Sequence, residues 1–116
     1  MLNSEKEGAL SKERIRDLND AFRTSFRGGR VVVTPSISEM EPVDQVAILE
    51  AVQNFKTFNE DNDPHNEHDF GSFDFGGEKF FWKIDYYDQS LKFGSEDPAD
   101  PAQTTRVLTI MHASEY

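Results

Sequence analysis

The chain contains no cysteine. That excludes a disulfide framework, thiol catalysis and thiolate metal sites, and it is the composition of a protein kept in a reducing compartment. Long apolar runs are missing as well. The longest aliphatic stretches are "VVV" at 31–33 and "AIL" at 47–49, and the opening "MLNSEKEGALSKER" lacks the apolar core of a secretory signal. These absences predict a soluble, cytoplasmic protein with no membrane attachment. Nucleophile and phosphate motifs are absent too: there is no Gly-x-Ser-x-Gly and no glycine-rich phosphate loop.

Positive charge is scarce. Twelve Lys and Arg stand against 22 Asp and Glu, a net charge of −10. The imbalance is uneven: residues 1–30 hold seven basic and five acidic side chains, leaving five basic against seventeen acidic beyond residue 30. Such a body repels nucleic acid and anionic membranes, so no direct nucleic-acid binding is expected, and the complementary partner is a protein with a basic surface. The arginines of the first 30 residues (Arg14, Arg16, Arg23, Arg27, Arg30) alternate with Glu13, Asp17 and Asp20, which reads as a solvated helix face with local pairs.

What is present is enough for one domain. A chain of 116 residues can bury a single core, and ten Phe make ring packing a large part of it. Residues 1–10 read as a flexible N-terminal arm and 11–116 as a single α+β domain. Ser11 is a candidate N-cap, Ile15, Leu18, Phe22 and Phe26 recur at helical spacing, and Gly28-Gly29 end that helix. "RVVVT" predicts a short strand, and Pro42 to Phe55 a second amphipathic helix. From there the period changes to two. "GSFDF", Gly76-Gly77 and "EKFFWKIDYYD" predict a β-hairpin, with Phe80, Trp82, Ile84 and Tyr86 on one face and Phe81, Lys83, Asp85 and Tyr87 on the other. Phe70 is out of phase with Phe73 and Phe75, which predicts an irregularity near Gly71. "LKFGS" and "TRVLTIMH" read as further strands. The expected architecture is two N-terminal helices packed on a mainly antiparallel sheet of four to five strands.

The stretch "NEDNDPHNEHDFGSF" at 59–73 holds seven acidic or histidine side chains between Glu60 and Asp69 and no lysine or arginine. It begins like a calcium loop, with Asp61 and Asp63 at the first and third positions, but Asn66 and Ser72 occupy the positions that require Gly and Glu. A transition-metal set of His65, His68 and Asp69, with Glu67 or Asp85 as a further ligand, is the second way to use it, as a divalent-metal-binding protein or metal-dependent hydrolase. The plain alternative is a loop whose Asp, Asn and His side chains satisfy its own amides. Asp85 is the best candidate for a partly buried carboxylate, with pairing to Lys83, Lys79 or Arg106 as its ordinary role. Nine of the fourteen aromatic residues fall between Phe70 and Phe93. They read as core on both sides of a central strand, because base stacking calls for a basic groove that this region lacks.

The strings "EHDFG", "FFWKIDYYD", "DPADP" and "TRVLTIM", with the final "ASEY", resemble a family of short bacterial proteins catalogued only as a domain of unknown function. The similarity runs from about Ile15 to the C-terminus and takes in Glu67, His68, Asp69, Trp82, Asp85, Tyr86 and Tyr87. Residues 65 and 66 depart from the family's pattern, which weighs against His65 as a ligand. The resemblance implies occurrence on bacterial chromosomes and plasmids, hence a mobile-element role, and implies no reaction or cofactor.

The reading with most support from charge, size and missing motifs is a non-enzymatic protein. Its acidic surface (Glu60, Asp61, Asp63, Glu67, Asp69, Asp74, Glu96, Asp97, Asp100) would occupy the nucleic-acid-binding site of a basic partner, as small anti-CRISPR or anti-restriction inhibitors do. On this reading no cofactor is needed, and the chain is a monomer or a homodimer joined through a sheet edge or an aromatic face.

Overall fold

The computed structural model describes the backbone from Ser4 and side chains from Ser11 to Tyr116. The elements are α1 (Ser4–Ser25), β1 (Gly29–Val33), α2 (Pro35–Ser38), α3 (Pro42–Gln53), β2 (Phe70–Phe75), β3 (Glu78–Tyr87) and β4 (Thr105–His112), followed by a 3-10 turn at Ala113–Glu115. The first helix starts at Ser4, ahead of the expected cap at Ser11. Of the expected N-terminal arm, residues 1–3 lie outside the described residues. Among the described residues no helix is long and apolar enough to cross a membrane.

Among the described residues the fold is α+β, with three α-helices and one four-stranded sheet in the order β1-β4-β3-β2. β2 and β3 form the hairpin through Gly76-Gly77, both in the left-handed region (φ 60° and 81°) that glycine adopts at no steric cost. β4 lies antiparallel to β3, and β1 lies parallel to β4 with Val31 opposite Leu108. The sheet is therefore mixed, not purely antiparallel. A parallel pair needs a long crossover, and here everything from α2 to β3 supplies it. The expected strand at "LKFGS" does not form. Only one isolated bridge, Tyr87 to Gly94, joins it to the sheet, because Asp88 folds the segment into a turn by accepting from Lys92 N and Ser90 Oγ.

Alternation along the strands divides the sheet into unlike faces. Phe80, Trp82, Ile84, Leu108 and Ile110 are buried in one cluster with Phe22 of α1, Ile37 of α2, and Ile48 and Val52 of α3. Each such side chain contributes about 1.5–3 kcal/mol by leaving water. The partly buried residues around the cluster (Val31, Val33, Phe73, Phe75 and Tyr86 among them) share the same face of the strands. The opposite face of β3, carrying Phe81, Lys83, Asp85 and Tyr87, is only half-buried, so the rings are not core on both sides. There Lys83 Nζ pairs with Asp85 at 2.8 Å along the same strand. That hydrogen bond is the main reason the Lys83 pKa is raised.

No bulge interrupts β2. Phe70 points to the half-buried face, 5.4 Å ring to ring from Phe81, and the residue count stays in register with β3. Gly71 answers a packing demand instead. The Trp82 indole lies directly against it, and a Cβ there would sit 2.6 Å from Trp82 Cε2 and 2.8 Å from Phe55 Cζ. Gly71→Ala should therefore cost about 1–3 kcal/mol of stability by overpacking. Gly94→Ala, whose Cβ would come no nearer than 3.9 Å to Tyr86 O, should change stability little. Urea denaturation of the two variants side by side checks this, and equal midpoints would refute the role given to Trp82.

Candidate functional site

α1 carries more than apolar residues to the interior. Its buried stripe is Ile15, Asn19, Phe22 and Arg23, with Asn19 at 0% and Arg23 at 3% exposure. Arg23 thus does not belong to a solvated helix face. Its Nη1 donates to the carbonyls of Val52 (2.8 Å) and Phe55 (3.1 Å), at and just beyond the end of α3. Its Nη2 meets Asp20 at 3.2 Å, and its guanidinium lies 5.1 Å from the Trp82 ring centroid and 5.5 Å from that of Phe58. Burial lowers the Arg23 pKa, with Asp20 opposing the shift. Among the described residues, Nε of Arg23 and Nε1 of Trp82 have no hydrogen-bond partner.

Asn19 ties α1 to the sheet. Its Oδ1 accepts from Arg106 Nε at 2.8 Å, while its Nδ2 donates to Tyr86 Oη (2.8 Å) and to the carbonyl of Glu67 (3.0 Å). Tyr86 Oη in turn donates to the Glu67 carboxylate at 3.0 Å, and Arg106 Nη2 donates to the carbonyl of Pro98. The Arg106 guanidinium also lies 5.2 Å from the centroid of the Tyr86 ring. Burial lowers the Arg106 pKa and raises that of Tyr86, so the phenol stays a neutral donor. This chain of bonds runs from Glu67 in one acidic segment to Pro98 in the other and anchors both on α1.

Beside it, His68 sits between two carboxylates. Nδ1 donates to both oxygens of Asp20 (2.9 and 3.0 Å), Nε2 lies 3.5 Å from Asp63, and the ring stacks on Phe58 at 3.7 Å with 2° between planes. Asp63, at 7% exposure, belongs to the interior and not to an acidic surface: its Oδ1 accepts from the amides of Glu67 and His68. His68 and Asn66 both have φ of 55°, and this left-handed backbone wraps the loop around Asp63. Asn59 and Asn62 hold the other end, Asn59 Oδ1 accepting from the amides of Asp61 and Asn62 and Asn62 Nδ2 donating to Thr57 O.

The suggested metal set does not assemble. His65 is exposed, His68 is turned to Asp20 and Asp63, and among the described residues no three His, Cys, Asp or Glu side chains are grouped so as to hold a metal ion. A cleft of about 450 Å³ opens beside His68, lined by Asp20, Arg23, Thr24, Gln53, Asn54, Phe55, Lys56 and Phe58. Its one hydroxyl, Thr24 Oγ1, donates to Asp20 O at 2.7 Å, and both His68 nitrogens face carboxylates.

The acidic candidates separate by exposure. Glu60, Asp61, Asp74, Glu96 and Asp97 are exposed, whereas Glu67, Asp69 and Asp100 are half-buried. Asp100 accepts from Ala102 N and Gln103 Nε2, bonds that lower its pKa. Asp74 stands apart on β2, opposite Lys79. Asp97 and Asp100 line a cleft with Ser11 and Arg14 of α1. The residues that hold the site together (Asn19, Arg23, Tyr86, Arg106) do not stand out in sequence as a polar network. The available signal is the helical spacing of Asn19 and Arg23 with Ile15 and Phe22, and of Tyr86 with Trp82 and Ile84 at period two.

A small α+β domain with two acidic segments anchored on one helix is the class that fold and site define. Residues 33–115 match the family described as "Protein of unknown function (DUF3768)", and the chain belongs to that family. The four strings singled out above all fall inside the match, while α1, with Asn19, Asp20 and Arg23, precedes it. No curated protein and no solved structure matches the chain.

Two outcomes test this description. Asn19→Ala leaves buried Arg106 Nε without its acceptor and Tyr86 Oη with the Glu67 carboxylate alone, and should cost about 3 kcal/mol, read by chemical denaturation. Asp69 differs in sign. Burial first, then the Glu67 charge, raise its pKa, so folding favours its protonated form, and stability declines as pH rises from the unfolded value of 3.8 through the folded one. Asp69→Asn should therefore stabilise the fold at pH 7, with the gain vanishing in melting curves taken below about pH 4.

Proposed function

We propose that the chain binds the basic, nucleic-acid-binding surface of a protein partner through the carboxylates of its two acidic segments, in the manner of small inhibitors of bacterial restriction or CRISPR effectors. The supporting observation is that Glu60, Asp61, Glu96, Asp97 and Asp100 have no Lys or Arg within ion-pairing distance among the described residues, although their segments are fixed by side-chain bonds to backbone amides. Carboxylates carried on segments already held in place cost less backbone ordering on meeting cations than those of a mobile loop, and their field speeds the encounter. The Glu67–Tyr86–Asn19–Arg106–Pro98 chain ties the two segments to one framework, so both can present their carboxylates to the same partner.

The test uses purified basic DNA-binding effectors from bacterial defence systems, titrated with this protein by calorimetry. Binding should weaken steeply between about 0.05 and 0.5 M NaCl, and duplex DNA should compete for the same site. The triple variant Glu60→Lys, Asp61→Lys, Glu96→Lys should lose at least about tenfold in affinity with an unchanged circular dichroism spectrum. Affinity that neither salt nor DNA alters would refute the reading.

A further inference from the structure

The stretch between β3 and β4 carries an aromatic ring that the core does not use. Phe93 is 71% exposed and belongs to no ring pair or cation–π pair among the described residues, whereas the other exposed aromatic, Tyr116, lies edge-on to Phe70 and Phe81. The backbone beneath the ring is nevertheless fixed. Asp88 N donates to Phe93 O at 2.8 Å, Leu91 N to Asp88 O at 3.0 Å and Lys92 N to Asp88 Oδ1 at 3.1 Å, which closes residues 88–93 into a turn. Leu91 takes a left-handed backbone (φ 61°) that a branched aliphatic residue rarely adopts, and the turn half-buries Leu91 while it leaves Phe93 in water.

The ring is one wall of a cleft of about 420 Å³ that Asp88, Gln89, Glu96, Ala102 and Gln103 also line. Gln89 Nε2 donates to Ala102 O at 2.7 Å and so ties the turn after β3 to the segment before β4. No Lys or Arg lines the cleft. Glu96 is exposed and has no cation within ion-pairing distance among the described residues. Asp88 accepts from Ser90 Oγ and from Lys92 N, and these bonds, that of Ser90 first, hold its pKa below the ordinary value, so it is charged at neutral pH.

These parts define a guest. Two carboxylates set its sign, and an open aromatic face attracts a cation through the ring quadrupole. A field of carboxylates treats arginine and lysine alike, but the ring does not: a guanidinium is flat and weakly hydrated, so it can lie on the ring while its N–H groups reach a carboxylate, whereas an ammonium keeps its water. We propose that this cleft receives an arginine side chain of the basic partner, the guanidinium over Phe93 and its N–H groups toward Glu96 and Asp88. The identity of that partner rests on the reading above. Arginine is also the side chain of choice in nucleic-acid recognition, so the cleft matches the class of surface already proposed.

The test needs no identified partner. The whole chain, isotope-labelled, is titrated with the blocked tripeptide Gly-Arg-Gly at about 0.02 M NaCl, with Gly-Lys-Gly and the uncharged Gly-citrulline-Gly in parallel, and amide shifts are followed by NMR. The arginine peptide should move the amides of Phe93, Gly94, Glu96 and Gln103 and bind about two- to fivefold more tightly than the lysine peptide, and the citrulline peptide should not saturate. Phe93→Ala should bring the arginine peptide down to the lysine level, and Phe93→Leu, which keeps the apolar bulk without the ring, should do the same. Both replace a side chain that lies in water, so the melting temperature should be retained. Glu96→Gln should weaken both charged peptides alike. An arginine peptide that leaves these amides unmoved, binds no better than lysine, or keeps its preference in the Phe93 variants would overturn the proposal. Such a failure leaves the salt dependence of effector binding untouched, and effectors that fail in calorimetry leave the tripeptide result standing, so the two readings fail separately.

Discussion

Asn19 is the side chain on which the arrangement of the molecule turns. It is fully buried, and it spends its carbonyl on Arg106 and its amide on Tyr86 and Glu67. Taking a guanidinium out of water costs several kcal/mol unless its donors are met, and Arg106 meets them through Asn19 and the Pro98 carbonyl. One amide therefore fixes the position of α1 relative to β3 and β4 and sets where both acidic segments leave the sheet. An apolar residue at position 19 could fill the space, but it could not orient three elements at once.

Around that anchor the molecule divides into two charge regimes. On the helix side, buried arginines are compensated by carbonyl groups, aromatic rings and Asp20, Asp63 is buried among loop amides, and Glu60, Asp61, Glu96 and Asp97 remain exposed. On the other side the sheet is nearly neutral. The separation follows from alternation in the strands: every second residue of β3 and β4 enters the core, and the residues between them carry the Lys83–Asp85 pair and small β-branched side chains that tolerate both water and contact.

Much of the fold was legible in the residues because its signals are periodic. The hairpin at Gly76-Gly77, the inward face of Phe80, Trp82, Ile84 and Tyr86, and the helix beginning at Pro42 rest on local spacing. The parallel partnership of β1 with β4 was not, since pairing across some 76 residues (Val33 to Ile110) leaves no mark on either segment alone. Nor was the burial of Asp63. Composition makes every aspartate of the 59–69 loop look alike, and only the backbone turn at Asn66 and His68 distinguishes the one that accepts amides from those facing water. Arg23 and Asn19 were hidden for a related reason: polarity at a helix position reads as exposure unless the partner across the core is known.

The position of β4 has a consequence for how the molecule comes into being. It is a central strand, flanked by β1 and β3, yet it is the last of the four to be made. Until residues 105–112 have left the ribosome, β1 has no neighbour, the β2–β3 hairpin has one open edge, and the Arg106 contact that orients α1 does not exist. The nascent chain must therefore wait with Trp82 and its surrounding rings uncovered, and closure comes late, by insertion of one strand between two that already exist. A chain stalled before Thr105 would hold its hairpin with one edge open, because the strand that joins β1 to β3 is missing.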